Sequence, residues 1–252
     1  MIDPVAFQIG PLSVRWYGLL IATALLIGTI LALREVRRQG IDEDKFMNVI
    51  IAAIPAGLIG ARLYYVIFRW DYYGKYPGEI PAVWHGGLAI HGGIIGAFIA
   101  GYLMIRYYNM NFWRLADIAA PSLVLGQAIG RWGNFINQEA YGYEVDPEQV
   151  PWAMWIDGAY RHPTFLYESL WNLLVFTFLI WLRKQRFIRE GEILLSYFIL
   201  YSLGRFIIEG FRTDSLMLGP LKAAQVVSLS LIIISGLLIW YRRYKTRDKI
   251  FR

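Results

Sequence analysis

The chain has 252 residues, 57% of them hydrophobic and 16% aromatic, with 25 Lys and Arg against 19 Asp and Glu for a net charge of +6. A mean hydropathy of +0.40 is too apolar for a soluble domain, and the pI near 9.4 comes mostly from basic residues in short tracts beside apolar runs, which marks membrane topology rather than a nucleic-acid footprint. With no cysteine, the chain has no disulfide, thiolate metal site or nucleophilic thiol of its own, so any thiol chemistry uses a substrate's thiol.

Met1 to Gly10 lacks the basic leader and small-residue cleavage site of a signal peptide, so the first apolar segment is expected to be retained. Apolar windows long enough to cross a bilayer fall at 15–33, 47–67, 88–105, 116–133, 165–182, 192–210 and 223–241. They predict an all-α polytopic membrane protein of about seven transmembrane helices, one integral membrane domain over 1–252, with the fourth and sixth windows the most polar at their ends. Basic residues follow the first window (Arg34, Arg37, Arg38, Lys45), the third (Arg106, Arg114), the fifth (Arg183, Lys184, Arg186, Arg189) and the seventh (Arg242, Arg243, Lys245, Arg247, Lys249, Arg252). By the positive-inside rule the N-terminus is outside and the C-terminus cytoplasmic. Two longer loops, 68–87 and 134–164, then fall on the outer side. Both are rich in Trp and Tyr, as an aromatic belt or a substrate-facing surface would be. No internal repeat relates the halves, which weakens a reading as a repeat-built transporter.

The polar residues in the apolar windows share one side of the membrane. Tyr17 opens the first window, Arg62 closes the second, His91 opens the third and Arg131 closes the fourth. His162, Tyr167 and Glu168 open the fifth, and Tyr201, Arg205, Glu209 and Arg212 close the sixth. Each is at the outer end of its helix, which predicts a single polar cavity open near the outer leaflet. Arg131 lies in the stretch Gly130-Arg-Trp-Gly-Asn-Phe-Ile-Asn-Gln-Glu-Ala-Tyr-Gly142; there it either snorkels to headgroups or faces an anionic partner inside the protein. Positions 201, 205, 209 and 212 make one polar stripe on the sixth helix. That stripe fits a salt-bridge ladder from Arg205 to Glu209, and with Arg131 it also fits two or three guanidiniums converging on one phosphate.

His91 stands in His91-Gly92-Gly93, where it serves as a base, a hydrogen-bond donor or a structural hydrogen bonder. Gly92 and Gly96, four apart, allow another helix or a lipid group to approach the backbone. His162 before Pro163 reads as a helix entry. Three scattered histidines without HExxH spacing predict no metal site, and no G-x-S-x-G, P-loop or dinucleotide fingerprint is present.

His91-Gly-Gly, Gly130-Arg-x-Gly-Asn-Phe-x-Asn-x-Glu-x-x-Gly142, His162-Pro-x-x-Leu-Tyr-Glu168 and Gly204-Arg-x-x-x-Glu-x-x-Arg212 together resemble the bacterial prolipoprotein diacylglyceryl transferases. The resemblance runs from Val14-Arg-Trp-Tyr-Gly18 to the sixth helix, and the 130–142 block is its most specific part. It implies a seven-helix enzyme of the bacterial inner membrane that needs no cofactor. Its partners would be phosphatidylglycerol, the signal peptide of a prolipoprotein with its lipobox cysteine, and membrane lipids. It would transfer the sn-1,2-diacylglyceryl group to the cysteine thiol, the first step of lipoprotein maturation, and release glycerol phosphate.

In that reading His91 or Tyr201 is the base, and Arg131 and Arg205 neutralise the phosphate and the leaving group. Asn134 and Glu139 shape the site, Glu209 fixes Arg205, and Tyr17 joins the substrate-binding set. The rival reading is an anion or lipid transporter or channel with an arginine-lined cavity; it predicts polar residues through the full membrane depth. The inner halves of these windows are apolar instead. A purely structural membrane protein leaves the gathering of Arg, His and Glu at one face without a reason.

Overall fold

The computed structural model describes residues 3–10 and 12–250. Expectations resting on Met1, on Arg252 and on the side chains of His85, Arg247 and Lys249 lie outside the described residues. Seven long helices carry most of the chain: α1 (Trp16–Arg38), α2 (Glu43–Phe68), α4 (Ile90–Tyr107), α5 (Phe112–Ile136), α6 (Thr164–Leu182), α7 (Glu192–Glu209) and α8 (Ala223–Ile250), with one turn, α3 (Trp70–Tyr73), after α2. Two 3-10 turns (Pro77–Glu79, Val83–His85) and three small antiparallel hairpins complete the described elements, the hairpins being β1–β2 (Val5–Ile9, Leu12–Arg15), β3–β4 (Met154–Ile156, Ala159–Arg161) and β5–β6 (Met217–Leu218, Leu221–Lys222). By length and composition α1, α2, α4, α6 and α8 are apolar enough to cross a membrane. The other two, α5 and α7, carry Arg131 and the stripe of Tyr201, Arg205 and Glu209.

Several helices overrun their apolar windows because polar caps start them early. Asp42 accepts the Lys45 amide at 3.0 Å, and Glu43 and Asp44 complement the positive end of α2. Asn111 accepts the amides of Trp113 and Arg114 at 3.0 and 3.3 Å at the start of α5. Gly40, at φ +65, turns the chain after α1.

The chain divides into two units, Ala32–Leu115 and Met1–Leu31 with Ala116–Arg252. In the first of these, α2 and α4 touch through glycines. A Cβ on Gly92 would lie 2.2 Å from the Gly60 carbonyl oxygen, and one on Gly96 2.3 Å from that of Ala56. Only hydrogen fits there, so the small-residue stripe serves helix packing. Arg62, 5% exposed, donates to the carbonyls of Glu79, Ile80, Gly86 and Gly87 at 2.6 to 3.0 Å. It organises the loop after α3.

The other unit packs α5, α6 and α7 around Ala120, Val124, Val175, Leu179, Ile193 and Tyr197. Lipid is as apolar as these side chains, so close packing and hydrogen bonds between helices supply most of the cohesion. Ser122 donates to the Gly28 carbonyl at 2.8 Å, Ser169 to that of Ala128 at 2.9 Å, and the Trp171 indole to that of Leu200 at 2.9 Å. Asp117 of α5 accepts the amides of Gly191 and Leu194 at 2.6 and 2.9 Å, capping α7 from a neighbouring helix.

Candidate active site

The last turn of α5, the first of α6 and the last of α7 meet, and buried ions occupy the junction. Glu168, with a side chain 4% exposed, receives Arg131 of α5 at 2.6 Å on one oxygen and Arg205 of α7 at 2.8 Å on the other. Arg205 reaches onward to Glu209 at 2.7 Å. Arg212, just past α7, holds Asp214 through two contacts of 2.7 and 2.9 Å and comes within 3.8 Å of Glu168.

On the other side, Arg131 donates to Asn134 at 3.3 Å, and Asn134 donates to Glu139 at 2.9 Å. Glu139 also receives Asn137 at 3.3 Å, and Ser215 donates to Glu209 at 2.6 Å. One polar chain therefore runs Glu139, Asn134, Arg131, Glu168, Arg205, Glu209 across three helices and the loop after α5. Buried charges survive only when paired and hydrogen-bonded in this way.

The surrounding backbone is shaped to carry it. Gln138 and Ala140 stand at φ +54 and +58, a region costly for residues with a Cβ and tolerated where neighbours enforce it. Thr164, fully buried, donates to the Ala140 carbonyl at 2.7 Å, and the Gln138 side chain accepts the Asp157 amide at 2.8 Å. Asp157 and Gly158, at φ +49 and +80, make the tight turn between β3 and β4.

Gly142 donates to the His162 carbonyl at 3.1 Å and Tyr143 to that of Phe211 at 3.0 Å, which ties the 130–142 segment to the chain bearing Arg212. Lys222 donates to the carbonyls of Glu209 and Arg212 at 2.7 and 2.6 Å, closing the end of α7. Burial works against the Arg212 charge, yet Asp214 and the neighbouring carboxylates outweigh it and raise its pKa. The Arg212 hydrogen bonds in turn hold the Asp214 carboxyl below the usual carboxylate range. The Tyr141 hydroxyl donates to Asp157, and that hydrogen bond pushes the phenol up.

Of the residues expected at the site, Arg131, Asn134, Glu139, Arg205 and Glu209 form this network. Tyr17 packs on α5 at Gly133, two residues after Arg131: a Cβ there would lie 2.2 Å from Tyr17 Cδ2. Tyr201 sits one turn along α7 from Arg205, its ring stacked 5.7 Å from Tyr197. His91 is in the other unit, exposed, with its ring 6.1 Å from Tyr64. The hub Glu168 was no more than one of several polar helix ends in the sequence reading, although a lone carboxylate opening an apolar helix already demanded a cation. Arg212, read from spacing as the end of the polar stripe, joins the network beside Glu168 and Glu209, whereas Asp214 and Ser215 join only through the fold. Beside the network, a cavity of about 420 Å³ lies between α6 and α7, lined by apolar faces of Trp152, Tyr167, Trp171, Leu174, Ile207 and Phe211.

These features define a helical membrane protein with a guanidinium and carboxylate network buried where three helix ends meet, next to an apolar groove. Residues 4–241 match the family model for prolipoprotein diacylglyceryl transferase, and the chain belongs to that family. It is 54% identical to the phosphatidylglycerol–prolipoprotein diacylglyceryl transferase of Geobacillus kaustophilus (strain HTA426), covering 97% of this chain and 94% of the relative. The proteins of that name from Bacillus cereus (strain Q1) and Listeria innocua are 53% and 52% identical, over 96% and 97% of this chain and 93% and 91% of theirs.

Proposed function

We propose that the whole chain, as one membrane domain, transfers the sn-1,2-diacylglyceryl group of phosphatidylglycerol to the lipobox cysteine thiol of a prolipoprotein. The thiolate sulfur attacks the glyceryl carbon that bears the phosphate ester. A C–S bond forms, the C–O bond breaks, and glycerol phosphate leaves with the bonding pair. The names of relatives more than half identical over nearly the whole chain support this reaction. The structural observation that carries it is the sharing of Glu168 by Arg131 and Arg205 at 2.6 and 2.8 Å. Two guanidiniums are thereby held one carboxylate apart, a spacing that also suits two oxygens of a phosphate.

A free thiol is mostly protonated near neutrality and needs a base, for which His91 and Tyr201 are the candidates. Arg131 and Arg205 meet the charge growing on the departing phosphate. Glu168 and Glu209 keep the guanidiniums in place and moderate the positive field, so the anionic product is not trapped. Asn134 and Glu139 fix Arg131 from the loop side, and Tyr17 walls the site. The apolar groove suits an acyl chain.

The basic tracts favour an N-terminus outside and a cytoplasmic C-terminus in the bacterial inner membrane, with both substrates entering from the outer leaflet. A channel lined by arginines is the poorer reading, because the inner halves of the helices are apolar. The test is stoichiometric. With phosphatidylglycerol labelled in its headgroup and a lipobox peptide, released glycerol phosphate should equal modified peptide one to one. A Cys→Ser peptide should give neither. Release without peptide modification would point to a lipase instead.

A further inference from the structure

The carboxylates of the ion network are not equally held. Glu168 and Glu209 have side chains 4% exposed, and each is gripped from two sides, Glu168 by Arg131 and Arg205, Glu209 by Arg205 and the Ser215 hydroxyl. Asp214 has a side chain 48% exposed, and among the described residues Arg212 is the only side chain that holds it, through a two-pronged contact of 2.7 and 2.9 Å. Pairing fixes the two buried carboxylates in place. A rotamer change is enough to carry Asp214 into solvent.

Arg212 belongs to the same cluster as the two arginines assigned to the phosphate. Its guanidinium lies 3.8 Å from the Glu168 oxygen that Arg205 contacts at 2.8 Å, and 3.9 Å from the Glu209 oxygen that Arg205 contacts at 2.7 Å. The charge of Arg205 also acts on the Asp214 carboxyl. Three guanidiniums thus face three carboxylates, and Asp214 is by far the most exposed of the six. The place it fills on Arg212 is therefore reached from outside.

What Asp214 offers that guanidinium is what a phosphodiester offers, a pair of acceptor oxygens sharing a negative charge. We propose that Asp214 keeps the phosphate's place on Arg212 in the lipid-free protein and is displaced by the phosphate of phosphatidylglycerol, so that Arg212 joins Arg131 and Arg205 as a third phosphate-binding residue. This rests on the transferase reading above. No covalent bond changes in the exchange, and one anion leaves the guanidinium as another arrives. Glu168 and Glu209 stay and hold the cluster together. Without Asp214, a mostly buried guanidinium would lack its closest counter-ion whenever no lipid is bound, which is costly.

Transfer to a lipobox peptide is measured at varied phosphatidylglycerol in mixed micelles for wild type, Arg212→Gln, Asp214→Ala and the double variant, with thermal unfolding of each preparation. Arg212→Gln should raise the KM for the lipid at least about tenfold, the effect of a lost charge-assisted contact. Asp214→Ala should lower that KM about three- to fivefold, since a half-exposed ion pair no longer competes, while it melts below wild type. The double variant should match Arg212→Gln. Tighter use of lipid by a less stable protein is a result that a merely structural ion pair does not give. A KM for Asp214→Ala at or above that of wild type overturns the exchange, because Asp214 then only holds Arg212 in position. A KM for Arg212→Gln within about twofold of wild type overturns it too. If Asp214→Ala does not fold, Asp214→Asn keeps the size, loses the charge and is judged by the same criterion. A folded wild type that transfers nothing refutes the transferase reading and the exchange with it, whereas contrary KM values in active variants refute the exchange alone.

Discussion

Glu168→Gln tests the network at its hub. The substitution keeps size and shape but removes the charge that Arg131 and Arg205 share at 2.6 and 2.8 Å in a side chain 4% exposed. The amide oxygen can keep one guanidinium, while the NH₂ group faces the other and repels it. At an effective dielectric of about 20 each close pair is worth roughly 4 kcal/mol before desolvation. Removing one partner of a buried pair typically costs about 3–5 kcal/mol, because the remaining charge stays buried.

For a chain of this size that corresponds to a fall in Tm of about 10 °C. The freed guanidinium also loses its position, and a displacement of about 1 Å is enough to lower kcat/KM about 100-fold. Thermal unfolding in detergent and transfer kinetics on the same preparation give both numbers. Unfolding at the wild-type temperature with kcat/KM within about twofold of wild type would refute the hub.

Arg131→Lys and Arg205→Lys should each lower kcat/KM at least about tenfold, since an ammonium cannot span two oxygens; full activity in both would rule out bidentate phosphate recognition. Gly142→Ala should cost about 1–3 kcal/mol and several degrees of Tm, because its Cβ would lie 2.6 Å from His162 Cβ and 3.0 Å from the Phe211 carbonyl oxygen; an unchanged melting curve would contradict the close approach. Arg212 lowers the Asp214 pKa, so this pair stabilises the fold above the unfolded value near 3.9 and that contribution disappears as pH falls through the folded value. The Tm advantage of wild type over Asp214→Asn should therefore be constant above about pH 5 and vanish as pH drops below about 4; an advantage independent of pH would show the pair to be inert.

Much of the helical layout was legible because a membrane imposes it. A bilayer demands about twenty apolar residues per crossing, and each apolar window lies within or across one long helix. Less visible were the windows with polar ends: α5 and α7 are less apolar because they carry Arg131, Arg205 and Glu209, so composition marks them weakly as spans and strongly as site-bearing helices. The stripe at 201, 205, 209 and 212 could be read because it lies within one helix, where spacing is geometry.

Glu168 could not be assigned its two partners from spacing. They sit on other helices, and only the packing of α6 between α5 and α7 joins a residue at 168 to residues at 131 and 205. Arg62 shows the opposite failure. Its place at a helix end resembled that of Arg131, yet four loop carbonyls engage it, and a side chain meeting loop backbone leaves no periodic trace. Asp117, a carboxylate near the start of the fourth window, is explained only by the exposed amides at the start of α7.

The most direct measurement of the central claim is the mass of a lipobox peptide after incubation with phosphatidylglycerol and the purified protein, beside Arg131→Ala and a Cys→Ser peptide. A diacylglyceryl mass gain that needs both the cysteine and Arg131 is predicted. An undiminished gain with folded Arg131→Ala, or no gain from a folded wild type that instead carries anions across liposomes, would contradict it.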